Sequence, residues 1–201
     1  MKYQVIVADP PWKFGDELKS MKKKTKRSAI SNYSVMDIEE IKALPISDLA
    51  DKNGSILALW IPSILLPAGF DIMSCWGFQF KQTFIWIKTK KHVNQPINDP
   101  NDSLAFGMGR LFRNCHEIAL IGTRGKVYKM LENKSQRSVS LDANFVHSKK
   151  PDTLQDRLSI MFPTANKIEI FSRREKDGWC VLGNQIDGKD IREAIQEKID
   201  E

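Results

Sequence analysis

The chain's 201 residues suffice for one domain with a sizeable core, and 41% hydrophobic with 28% charged content is ordinary for a soluble globular protein. The longest apolar run, residues 55–70, is interrupted by Pro62 and Pro67 and excludes a bilayer-spanning helix, while a net charge of +6 suits an anionic partner. Cys75, Cys115 and Cys180 are odd in number and lack a CxxC partner, and Met1-Lys2 leaves no room for a secretory signal, so a cytoplasmic protein without disulfides or metal is expected.

The first predicted element is a strand over residues 3–8, a β-branched run halted by Pro10 and Pro11, which cannot donate to a ladder. Residues 13–34 are polar and lysine-rich, with Lys22, Lys23 and Lys24 at their centre, and read as a long loop. A helix follows over 37–44, with Asp37 as N-cap and Pro45 as stop, then a buried strand over 55–61. A second helix runs from Pro62-Ser63 to about Cys75 and closes at Gly77. Alternation marks a strand over 80–88, and residues 117–122 are expected to pair with it as a hairpin across the irregular 89–114 connection.

Residues 123–149 read as a third polar connection with helical character near 127–131. Pro151, early acids and helical spacing predict a helix to Phe162, followed by strands over 167–171 and 179–182 and a charged surface helix over 189–201. Strands alternating with helices, without a repeat or a linker, predict a single α/β domain spanning 1–201.

In an open α/β sheet, sites form beyond the carboxyl ends of the strands, and Asp9-Pro10-Pro11-Trp12 occupies such an end. The stretch offers a carboxylate, carbonyls stiffened by proline and a flat indole. Asp9 and the Pro10 carbonyl can accept the two hydrogens of a planar amino group, and Trp12 can stack on the ring that carries it. The other reading is a rigid turn with a core tryptophan. The lysines at 22–24 suit a polyanion, or form a solvated loop. Gly107-Met108-Gly109 has Phe112 where a dinucleotide fingerprint needs its third glycine, so no NAD site is expected.

The order of these pieces resembles the MT-A-seventy family of N6-adenine methyltransferases. The resemblance rests on Asp9-Pro10-Pro11-Trp12, Leu59-Trp60, Trp76-Gly77-Phe78 with Trp86-Ile87-Lys88, His116-Glu117, the segment from His147 to Pro151, and Asn184-Gln185. It implies a Rossmann-like class I S-adenosylmethionine-dependent fold, circularly permuted so that the catalytic strand precedes the cofactor-binding half. It also implies transfer of a methyl group to adenine N6 in nucleic acid, DNA before RNA, by Asp9, Pro10, Pro11 and Trp12.

By the same resemblance Lys150 holds the cofactor's methionyl carboxylate, Asp9 also meets its ammonium, and Asn184 and Gln185 recognise its adenine. Glu169 and Arg173 stand near its ribose, unless they form a strand-edge salt bridge. Where relatives carry an asparagine that touches ribose, this chain has Lys176. For the nucleic acid, Trp12 stacks on an extruded adenine and Tyr33 either adds a second stacking face or merely packs, while Lys22, Lys23, Lys24, Arg110 and Arg113 meet phosphates. His116 and Glu117 form either a polar link beneath the site or a structural hydrogen bond. The expected assembly is a monomer or homodimer, with a partner subunit as a further option. The rival to an enzyme is a noncatalytic nucleic-acid-binding subunit.

Overall fold

A computed structural model describes residues 1–13, 35–90, 99–107, 109, 111–143 and 149–201. The expectations placed on Lys22, Lys23, Lys24, Tyr33 and Arg110 therefore lie outside the described residues.

Among the described residues the chain builds a seven-stranded sheet in the order β5-β3-β4-β2-β1-β6-β7. In chain order the strands are β1 (Val5–Ala8), β2 (Gly54–Ile61), β3 (Gln79–Thr89), β4 (His116–Gly125), β5 (Val139–Ala143), β6 (Lys167–Ile170) and β7 (Cys180–Leu182). β1 pairs in parallel with β2 on one side, Ala8 opposite Leu59, and with β6 on the other, Ala8 opposite Ile170. β4 runs antiparallel to both β2 and β3, which confirms the long hairpin between β3 and β4. The chain thus lays down β1 and its β2 flank first and returns last to the β6 and β7 flank. That order is a Rossmann-like sheet entered at its centre, as the permuted methyltransferase fold requires.

The sheet is central because β1 is apolar on both faces, and every one of its residues is buried. Ile6 and Ala8 join one apolar layer with Ile41 of α1 (Ile38–Lys42), Ile46 and Leu49 of α2 (Ile46–Leu49), and Ile72 and Met73 of α3 (Leu66–Cys75). Val5 and Val7 join the opposite layer, with Leu154 and Leu158 of α4 (Thr153–Met161). A short α5 (Asn184–Asp187) leads to α6 (Ile191–Asp200), whose Ile191, Ala194 and Ile195 close the first layer at helical spacing.

Some expectations shift. The helix placed over 37–44 breaks after Lys42, and a second one-turn helix, α2, follows Pro45. Asp37 does cap it, in a reciprocal capping box with Glu40. The connection over 123–149 contains β5, an edge strand of which only Ser140 is buried, so its apolar alternation is too weak to read. The last helix starts at Ile191 because Asp190 accepts from the Arg192 N–H and caps it.

Candidate active site

β1 is where the sheet's connectivity reverses: one neighbour precedes the crossing of the sheet and the other follows it. A crevice opens beyond the carboxyl ends of strands at such a point. Asp9 is the first residue past β1 and still donates its N–H to the Ile170 carbonyl, at 3.4 Å. Beyond it the two prolines end the ladder, and the Pro10 carbonyl turns back to accept from Trp12 N–H at 2.9 Å. The Pro11 carbonyl accepts from Met36 N–H at 2.9 Å, which pins this strand end against the segment entering α1.

The Asp9 carboxylate sits in an ion-pair chain. Lys150 Nζ donates to Asp9 Oδ1 at 2.9 Å and Oδ2 at 2.8 Å, and lies 3.1 Å from Glu117 Oε2. Glu117 Oε1 in turn contacts Lys88 Nζ at 2.5 Å. Lys150 has three N–H bonds, so this arrangement occupies all of them. Its ammonium also lies 5.6 Å from the centre of the Trp60 ring, which prefers a cation over its face. Burial pushes the Lys150 ammonium down, but Asp9 and Glu117 outweigh it and hold the group above the usual lysine range. For Glu117, burial pushes up and the two lysines prevail, holding the carboxyl below its usual range.

Trp12 does not present a stacking face. It is 7% exposed, packs within the first apolar layer, and donates its indole N–H to the Trp60 carbonyl at 3.2 Å. A buried ring whose polar edge is engaged in this way braces the strand end. Trp12→Ala is therefore expected to cost about 3–5 kcal/mol of folding stability in urea denaturation, the scale of emptying a buried aromatic site. Trp12→Phe should lose about 1 kcal/mol and leave substrate KM unchanged. A normally stable Trp12→Phe chain with a raised KM would return the ring to the substrate.

A cleft of about 390 Å³, within the range of small-molecule sites, is lined by Asp9, Pro11, Phe171, Ser172, Arg173, Gly183, Asn184 and Gln185 among others. Its floor depends on two backbone features. Phe171 at the end of β6 has φ 68°, a left-handed conformation uncommon for a bulky residue, and this reverses the chain so that residues 172–173 line the cleft. At Gly183, an added Cβ would sit 2.0 Å from the Ser172 carbonyl oxygen, so only glycine lets the two cleft-lining segments lie together. The Ser172 N–H donates to the Leu182 carbonyl at 2.8 Å and holds that approach.

Of the residues expected to bind cofactor, Asp9, Arg173, Asn184 and Gln185 line this cleft together. Lys150 joins them through Asp9 but is not on the lining; it can take a ligand carboxylate only by exchanging one of its present acceptors. Glu169 is not on the lining either. Its Oε2 accepts from the Ser172 hydroxyl at 2.9 Å, and through that bond it supports the cleft wall. Burial raises its carboxyl above the ordinary range; the Ser172 hydrogen bond opposes that and the Asp9 charge adds to it. Lys176 turns away to Asp156 at 2.7 Å, and Arg174 to Asp152 at 2.7 Å, tying the segment after β6 to α4. Arg113 lies in the β3–β4 connection, its guanidinium 4.8 Å from the centre of the Phe106 ring.

Glu117, expected as a polar link beneath the site or a structural hydrogen bond, pairs with Lys150 and Lys88, whereas Lys88 and Trp60 are site residues that sequence reasoning left without a role at the reacting end. A signal existed for Lys88. Glu117 stands opposite Trp86 across the hairpin, and Lys88, two residues on, shares that face of β3.

The fold and cleft define a methyltransferase of the S-adenosylmethionine-dependent class, and comparison with known proteins gives the family. The MT-A70 family profile matches residues 3–185, and the chain belongs to that family, whose members use S-adenosylmethionine as methyl donor. The chain is 28% identical to the type II methyltransferase M.MunI of a Mycoplasma species over 213 residues, covering 100% of this chain and 84% of that protein. It is 27% identical to the Drosophila melanogaster N(6)-adenosine-methyltransferase MT-A70-like protein, over 93% of this chain but 27% of the relative. It is 26% identical to the human N(6)-adenosine-methyltransferase catalytic subunit METTL3, over 93% of this chain and 29% of that protein.

The residues present fit the methyl donor. The lining combines the polar residues Asp9, Ser172, Arg173, Asn184 and Gln185 with the apolar Met36, Phe171 and Ile191, which suits a molecule with both an adenine ring and a zwitterionic end. No helix among the described residues is long and apolar enough to cross a membrane.

Proposed function

We propose that this chain transfers a methyl group to N6 of adenine in DNA. The observation that carries the reading is Asp9, just past β1 at the strand crossover point and on the lining of the cleft that also holds Asn184 and Gln185. The DNA half of the reading is supported by extent. The type II methyltransferase, a designation from DNA restriction and modification, is matched over 84% of its length, against 27% and 29% for the two adenosine enzymes.

S-adenosylmethionine supplies an electrophilic methyl on a positive sulfur. The chain's residues act on the nucleophile. The adenine amino group is a poor one, because its lone pair is delocalised into the ring. Asp9 and the Pro10 carbonyl, each with lone pairs left over from their present bonds, accept its two hydrogens. Held this way the nitrogen is drawn toward a pyramidal geometry and its lone pair is aimed away from both acceptors. A strong base is not needed before attack, since the nitrogen becomes acidic only once alkylated. As the N–C bond forms the S–C bond breaks and releases a neutral thioether, and the nitrogen's surplus proton passes to the Asp9 carboxylate that already holds it. Trp12 and Trp60 keep the acceptors in place from behind.

Asn184 and Gln185 can donate to and accept from a purine edge, and they line the cleft together with Asp9 and Pro11. Asn184→Ala is expected to raise the cofactor's Kd about tenfold by calorimetry, the worth of one well-placed hydrogen bond, with turnover at saturation little changed. Unchanged affinity would move the adenine subsite elsewhere.

The reading as a whole is tested by methylation-sensitive long-read sequencing of DNA from cells expressing the protein or its Asp9 variant. A methylated adenine in a fixed sequence, absent with the variant, supports it. Methylation of matched RNA but not DNA oligonucleotides by the purified chain would replace DNA by RNA as substrate. A chain that binds nucleic acid in a salt-sensitive way and shows no cofactor heat would be a noncatalytic subunit.

A further inference from the structure

The connection between β3 and β4 carries a tongue rooted beside the ion-pair chain. The backbone of Lys88 is bonded on both sides: its N–H donates to the Cys115 carbonyl at 2.7 Å and its carbonyl accepts from Ala105 N–H at 2.7 Å. Thr89 bridges antiparallel to Leu104, and Gly107 N–H donates to the Asn114 carbonyl at 3.2 Å. The tongue narrows toward its tip. A Cβ on Gly107 would lie 2.2 Å from the Asn114 carbonyl oxygen, and one on Gly109 2.0 Å from that of Phe112, so both glycines are needed for the two limbs to lie this close.

Among the described residues of the tongue, three large apolar side chains are exposed. Leu111 is 94% exposed, Phe112 85% and Phe106 76%. Arg113 folds back, with Nη1 3.5 Å from the Gly109 carbonyl and its guanidinium over the Phe106 ring. A glycine-built stem that holds two bare apolar side chains in water stabilises nothing in the free chain, and exposed apolar clusters of this kind mark contact surfaces.

The sheet register places the tongue at the reacting end. Ala8 lies opposite Leu59, Ile61 opposite Ile118 and His116 opposite Ile87, so the carboxyl ends of β1 and β3 and the start of β4 share one edge with Asp9. The chain of contacts from Lys88 through Glu117 and Lys150 reaches Asp9 itself.

We propose that Leu111 and Phe112 form a wedge that enters the base stack of duplex DNA beside the target adenine, with Arg113 beside the adjoining backbone. The inference rests on the reading of the chain as a DNA adenine methyltransferase and deepens it. Inside a duplex the amino group is paired and stacked, so the adenine must leave the helix to reach Asp9. Phe and Leu are the side-chain types that unstack a base step, and a neighbouring cation suits the phosphates on either side. A second protein copy would need the apolar surface but neither the cation nor a position at the reacting edge.

The test uses the full chain, its Leu111→Ser/Phe112→Ser double variant, and duplexes carrying the sequence located by sequencing. One duplex is fully matched; in the other the target adenine faces a mismatch and is already unpaired. The double variant is expected to lose at least about tenfold in kcat/KM on the matched duplex and to recover to within about threefold of the parent on the mismatched one, because a mismatch lowers the cost of extrusion. The fluorescence rise of 2-aminopurine at the target position should fall in parallel. Equal activity of variant and parent on the matched duplex overturns the wedge, as does an equal loss on both duplexes, which a simple backbone contact would give. A variant that shifts the parent from dimer to monomer in sedimentation overturns it too, by assigning the tongue to a second copy. A parent chain that methylates RNA and no DNA refutes the DNA reading before any tongue variant is made. Phe112→Leu, which keeps an apolar tip, should retain matched-duplex activity and separates the wedge from a folding defect.

Discussion

Replacing Asp9 by Asn is expected to cut methyl transfer at saturating cofactor by about 10²–10³-fold or more, the scale of removing one preorganised polar group from a reacting centre. The substitution nearly preserves volume, so the lost rate has to be assigned to chemistry. The carboxylate now offers two oxygens to Lys150 while keeping lone pairs for an amino group. An amide would keep one oxygen and aim an NH₂ at either the Lys150 ammonium or the adenine amine, each of which is itself a donor. Glu117 stays in place as a partner for Lys150, so the fold should hold, with a melting temperature within a few degrees of the parent. Tritium transfer from labelled cofactor measures the rate, and calorimetry measures cofactor binding separately. A large fall in turnover with unchanged cofactor Kd assigns Asp9 to the amine. A parallel loss of affinity adds a contact with the cofactor's ammonium, which is compatible with its place on the cleft wall. Undiminished turnover would remove Asp9 from the reaction.

The asymmetry between what could and could not be read in the sequence has physical causes. β1 was legible because a strand buried on both faces reads as an unbroken apolar run, and two prolines mark where it stops. Asn184 and Gln185 were legible only through the resemblance; nothing in their neighbourhood predicts the short helix that presents them. Trp12 shows the limit of residue type. An indole after Pro-Pro suits a stacking face and a core brace equally well, and residue type alone does not foretell its 7% exposure and its bond to the Trp60 carbonyl. The ion-pair chain as a whole, beyond the Lys88–Glu117 pair that the expected hairpin brings together, was invisible for another reason. Its members lie at positions 9, 88, 117 and 150, and only the hairpin register of β3 with β4 and the docking of residue 150 over β1 bring them together. Charge pairs that close such long loops leave no local pattern.

The strongest expectation about stability concerns the centre of that chain. Lys150→Met would leave the Asp9 and Glu117 carboxylates sharing a half-buried site with no cation between them, and the unpaired buried charge should cost about 2–4 kcal/mol at neutral pH. Its pH dependence should change as well. In the parent, the folded state holds Glu117 below its ordinary value of 4.5, so its stabilising contribution is present above that value and is lost as pH falls through the lowered one. Lys150, held above its ordinary 10.5, contributes fully below 10.5 and loses that contribution only as pH rises through the raised value. Between these limits the parent should be insensitive to the pair. In the variant Lys150's pull on Glu117 is gone, while burial, which pushes the carboxyl up, and Lys88, which pulls it down, remain. The carboxyl therefore lies higher than in the parent, so protonation costs the folded variant less and the variant should gain stability relative to the parent as pH falls from 7 toward 5. Urea denaturation of parent and variant at the two pH values measures the difference. A variant that loses stability on acidification alongside the parent would mean that Lys88 alone sets the ionisation of Glu117, and that Lys150 is not the cation that couples it to Asp9.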